Sequence, residues 1–119
     1  MTSTTQTFAC RPAAVTAARR LVRSTLDGRD AELVEAAELL ISELASNCVR
    51  HARTEFEVRI CASDEVRIEV RDLGGGEPRV LSPSPQEPSG RGLRIVEAMS
   101  RRWGVRPEAA GKVVWFTLA

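Results

Sequence analysis

Glu43 and Asn47 stand four residues apart in the stretch ELLISELASNCVRHA, residues 38–52. On a helix this spacing puts them on one face, one turn apart, with His51 following somewhat further round the axis. A carboxamide oxygen can ligate Mg²⁺, and a carboxylate one turn away can orient or deprotonate a nucleophile. Together the two groups suit work at a phosphate. The competing account is an amphipathic helix whose polar face is simply solvated, which is what most polar helix faces are.

Two glycine-rich segments carry further chemistry. Asp72 heads the run Asp72-Leu73-Gly74-Gly75-Gly76, where glycines let the backbone turn and a ligand approach without a Cβ in the way. An aspartate held beside such a turn can accept a hydrogen bond from an exocyclic amine such as N6 of adenine. Gly90-Arg91-Gly92-Leu93 opens an expected helix, where free backbone N–H groups can hold phosphate and Arg91 can add a charged fork. Taken singly, each has a plainer explanation: a glycine turn after an edge strand, and a flexible junction before a packed helix.

The elements that must position these residues are legible in the hydrophobic pattern. Residues 1–7 are small and polar and are expected to be flexible, with a short edge strand over 7–10. Val15, Ala18, Leu21, Val22 and Leu26 recur at helical spacing behind Arg11-Pro12, which places the first helix. Asp27-Gly28 breaks it, and Asp30 is the expected N-cap of a second helix running to about Ala52. Its apolar stripe is Leu33, Ala37, Leu40, Ile41, Leu44 and Cys48.

Then the period changes to two. Phe56, Val58 and Ile60, and after a turn Val66, Ile68 and Val70, alternate with charged residues, the signature of a hairpin with one apolar and one wet face. Residues 77–89 hold four of the six prolines and keep neither period, so they are expected to form a lid-like loop. Leu93, Val96 and Met99 or Ser100 mark a third helix, with Arg101-Arg102 expected in its last turn. Trp103–Arg106 and Val113–Leu118 close the sheet as a second hairpin around a turn over 107–112, in which Trp115 is expected to contribute packing. The implied fold class is α+β: a two-layer sandwich whose mixed, mostly antiparallel sheet carries helices on one face. Residues 8–119 are expected to form a single domain.

Composition narrows the function classes. A net charge of +1 over 119 residues argues against nucleic-acid binding as the main task. Three scattered cysteines and one histidine offer neither a disulfide framework nor a zinc site. No apolar run nears the ~18 residues of a membrane span and no secretory segment follows Met1, so a soluble, cytoplasmic protein is expected.

The order of the three segments is more telling than any one of them. ELASNCVRHA, DLGGG and GRGL resemble the N box and two glycine boxes of the Bergerat-fold (GHKL) ATP-binding domain shared by gyrase, heat-shock ATPases, histidine kinases and mismatch-repair proteins. The resemblance runs from about residue 8 onward. The small size, the His51-Ala52 pair, GRGLRIVEAMSRRWGV and the terminal GKVVWFTL are similar to the stand-alone anti-sigma-factor serine/threonine kinases of actinobacteria.

That resemblance implies ATP and Mg²⁺ as cofactors. It makes Asn47 the Mg²⁺ ligand, Glu43 the base toward a serine hydroxyl, and Asp72 the acceptor for the adenine amine. Gly74 and Gly76 keep the pocket floor open, Gly90, Gly92 and Leu93 shape the end of the lid, and Arg91 or His51 reaches a phosphate. It further implies an anti-anti-sigma (STAS-type) protein as substrate, a sigma factor as the protein held inactive, and a homodimer. Two departures stand out: the lid is short and proline-rich, and the first glycine box carries one extra glycine. The runner-up is a nucleotide-binding docking module without phosphotransfer. A histidine kinase half is disfavoured, since the single histidine lies in the N box rather than on a dimerisation helix.

Overall fold

The second helix begins where the sequence places it, behind the Asp30 cap. The computed structural model describes residues 2–73, 88–109 and 111–118, with the backbone alone for 88–93. In it α2 spans Ala31–Asn47, and the Asp30 carboxylate accepts a hydrogen bond from the Leu33 N–H at 3.3 Å. That bond satisfies one of the amides a helix leaves unpaired at its start. Ala37, Leu40, Ile41, Leu44 and Ala45 are buried along one face. α1, Ala13–Thr25, packs beside α2 and buries Ala14, Ala18 and Val22.

The strands are β1 (Thr2–Phe8), β2 (Phe56–Ala62), β3 (Val66–Asp72), β4 (Arg102–Glu108) and β5 (Gly111–Leu118), in the spatial order β1-β2-β3-β5-β4. Each of the four pairings is antiparallel. The sheet is therefore antiparallel throughout its described part, with no parallel pair of the kind a mixed sheet would contain. Phe56, Val58, Ile60, Val66, Ile68, Val70, Val114, Phe116 and Leu118 point to the helical side and are buried. α1 meets β1 and β2, α2 meets β3 and β5, and α3 (Pro88–Met99) meets α2 and β4. Helices thus cover one face, as the period-two pattern requires.

The other face is closed by charge over an aromatic. The Arg67 guanidinium lies 4.2 Å from the centre of the Trp115 ring, a cation–π contact. Arg67 also pairs with Glu69 at 3.0 Å, and Arg71 with Glu57 at 3.5 Å. Trp115 therefore packs on the solvent side, with its indole over Gly104, where an added Cβ would lie 2.7 Å from Nε1.

Four expectations need correction. Residues 2–8 are not a flexible leader with a strand over 7–10; they form β1, with Phe8 stacked on Phe56 at 5.4 Å between ring centroids. The second helix does not stay α-helical to Ala52, because Cys48–Ala52 is a π-helical turn. Arg102 opens β4 rather than the last turn of α3, and Arg101 N–H donates to Thr117 C=O at 2.8 Å. The last hairpin is tighter than a 107–112 turn, since Pro107 pairs with Lys112 and Glu108 with Gly111. The lid expected over 77–89 falls outside the described residues up to 87, and 88–89 already belong to α3.

Candidate nucleotide site

Glu43 and Asn47 occupy the last two turns of α2, half-buried beside the buried Leu44 and Cys48. One turn separates them, about 6 Å along the axis, and both sit at the rim of the core rather than on the solvated face. Past Asn47 the backbone widens: the Arg53 N–H donates to Cys48 C=O at 2.8 Å, five residues back, and Arg53 takes a left-handed φ of 54°. A helix that skips a residue in this way leaves a carbonyl over. The spare one is Val49 C=O, which accepts from the Cys10 thiol at 3.6 Å. Such π turns gather at functional sites.

His51 lies within this turn. Its Nε2 is buried and has no hydrogen-bond partner among the described residues, and the same holds for Thr54 Oγ1. Asp72 is the last residue of β3, opposite Phe56 of β2. Leu73 N–H continues the hairpin by donating to Glu55 C=O at 2.9 Å.

Asp72 lies near enough to the end of α2 for its charge to act on Cys48. Burial, and then the negative charge of Asp72, push the Cys48 thiol up to about 12, with Lys112 opposing. The carboxylate at the end of β3, the turn after Asn47 and the start of β5 therefore converge. Gly111, which sequence reasoning treated as a turn residue, is part of this convergence. A Cβ placed there would overlap the Asp72 carboxylate oxygen and lie 2.6 Å from the Asp72 carbonyl oxygen. Only a glycine turn between alternating strands was visible in the sequence, with nothing to link it to residue 72.

Gly90, Arg91, Gly92 and Leu93 lie in the first turns of α3, which begins at Pro88, so the glycines are inside the helix start rather than ahead of it. α3 packs on α2, the helix that carries Glu43 and Asn47. Gly74 and Gly76 lie outside the described residues. Among the described residues no group of three or more His, Cys, Asp and Glu side chains could hold a metal. The hard carboxamide oxygen of Asn47 fits Mg²⁺ as one ligand among phosphate and water oxygens, the usual company of that ion.

Comparison with known proteins supplies the family. The profile of the histidine kinase-like ATPase domain matches residues 8–118. Among solved structures, the RsbU and RsbW domains of Rv1364c from Mycobacterium tuberculosis superpose with a TM-score of 0.77 at 20% identity, over 99% of this chain and 32% of that one. The histidine kinase domain of the Erythrobacter litoralis EL346 blue-light activated histidine kinase gives 0.56 at 21% identity, over 89% of this chain and 59% of that one. The chain thus spans about a third of the first and under two thirds of the second, and both likenesses are of fold. No curated protein matches the sequence significantly. With its helix-borne Glu43 and Asn47, its Asp72 at a strand end and a family profile spanning nearly its whole length, the chain belongs to the histidine kinase-like ATPase domain family.

Proposed function

We propose that this protein is an ATP-binding regulatory kinase that phosphorylates a serine or threonine of a STAS-type anti-anti-sigma protein and holds a sigma factor inactive, acting as a homodimer. The observation that carries the proposal is the placement of Glu43 and Asn47 one turn apart at the end of α2, with Asp72 closing β3 near enough to act on Cys48, within this family's fold. ATP with Mg²⁺ would supply the phosphoryl group. Asp72 accepts the adenine amine and sets the base end of the nucleotide. Asn47 offers its side-chain oxygen at the phosphate end; the first turn of α3, up to Gly90, has backbone N–H groups without partners in the helix that suit a phosphate, and Arg91 and Gly92 follow in the same helix, Arg91 as a candidate cation. His51 is a second group for the phosphates.

Glu43 takes the proton of the incoming hydroxyl, and positioning and charge do the rest, as in phosphoryl transfer generally. The test is transfer of label from ATP to a STAS-type protein by wild type and by Glu43→Gln. Wild type is expected to label the partner, and Glu43→Gln to lose at least ~10²-fold in rate while binding ATP as before. A wild type that binds ATP but labels no STAS protein would replace the kinase by the docking module.

A further inference from the structure

Gly111 opens β5 and lies against the one side chain the proposed pocket relies on for base recognition. Among the described glycines only Gly28 has a left-handed φ, so the backbone at Gly111 needs no glycine for its torsion angles. Space is what distinguishes the position. A Cβ on Gly111 would overlap Asp72 Oδ1, come within 2.6 Å of the Asp72 carbonyl oxygen and lie 3.0 Å from its Cγ. The Asp72 carboxylate thus rests in the volume that any other residue would fill.

We infer that Gly111 is a positioning residue for Asp72: its missing side chain lets the carboxylate lie back over β5, where it meets the exocyclic amine of adenine and so selects a 6-amino over a 6-oxo purine. This rests on the reading of Asp72 as the base acceptor. An alanine leaves two ways to relieve the overlap. The carboxylate can rotate off β5, or β5 can shift away from β3 at Arg71–Val113, the last described pair of that ladder. Both move the acceptor oxygen from its place. The hydrogen bond is to a charged acceptor and is sharply dependent on distance and angle, so even a displacement of about an ångström removes most of it. A hypoxanthine base offers a carbonyl at the same position and gains nothing from the carboxylate, which makes base preference the informative readout.

The experiment is a double-mutant cycle read by calorimetry with ADP and IDP, on wild type, Gly111→Ala, Asp72→Asn and the double variant. Gly111→Ala is expected to weaken ADP ~10- to 100-fold, to leave IDP nearly unchanged, and to add nothing once Asp72 is Asn, because a residue acting through another has no effect without it. A wild-type ADP/IDP ratio in Gly111→Ala, or a loss that adds to that of Asp72→Asn, overturns the inference while leaving the nucleotide reading standing. Failure of the wild type to bind ADP overturns both. If Gly111→Ala does not fold, recovery of a cooperative thermal transition in Gly111→Ala/Asp72→Ala supports the contact between the two side-chain positions, and no recovery contradicts it.

Discussion

Cys48 shows how closely the core and the proposed pocket are joined. It follows Asn47 directly, is 8% exposed, and its thiol is pushed from an ordinary 9.0 up to about 12, by burial first and by Asp72 second. The thiolate is the reactive form, so Cys48 is expected to resist iodoacetamide at pH 8 in the folded protein, while the half-buried Cys10 and Cys61 react ahead of it. Mass spectrometry of the alkylated peptides decides this; Cys48 labelled as fast as the other two would contradict the burial account. The same shift has a stability consequence. Its folded pKa is raised, so its contribution is fully present below about 9.0, where both states keep the proton, and is lost as pH rises toward about 12. Denaturant titrations should show stability falling across that window by up to ~1.4 kcal/mol per pH unit from this group, and Cys48→Ala should lessen the slope.

At the scale of elements, α2 is fixed by its own sequence at one end and by its surroundings at the other. Asp30→Ala removes the acceptor for Leu33 N–H and is expected to cost ~1 kcal/mol, read as a lower denaturant midpoint at unchanged slope; Asp30→Asn should cost much less. Equal losses in the two variants would mean that the cap bond contributes little. The N-cap and the buried stripe were legible because both are local: one side chain before the helix, and one repeat of 3.6 residues. The π turn over Cys48–Ala52 was not. Arg53 N–H reaches Cys48 C=O instead of Val49 C=O, which accepts from the Cys10 thiol, 39 residues away, and no local pattern signals either bond. β1 escaped for a related reason. TSTTQT has no apolar alternation, and its strand form comes from pairing with β2 and from the Phe8–Phe56 stack.

Over the whole molecule, the layer arrangement follows from the alternation in β2, β3 and β5, whose apolar faces must be covered by helices, while Arg67, Arg71 and their glutamates close the other side. The candidate site was legible as separate pieces: Glu43 and Asn47 by spacing, Asp72 by its strand end, Gly90 to Leu93 by a helix start. What the sequence could not carry was adjacency between elements, and so it missed Gly111 against Asp72 across the sheet and the charge of Asp72 acting on Cys48 at the helix end. These two links make Asp72 the pivot of the proposed pocket. The most direct measurement is therefore calorimetric titration of the protein with ATP, with and without Mg²⁺, beside Asp72→Asn. Saturable, Mg²⁺-dependent binding by wild type that is lost in Asp72→Asn is the predicted result. Absence of binding at millimolar ATP, or equal binding by Asp72→Asn, would contradict the assignment of this convergence of helix end and strand end as a nucleotide site.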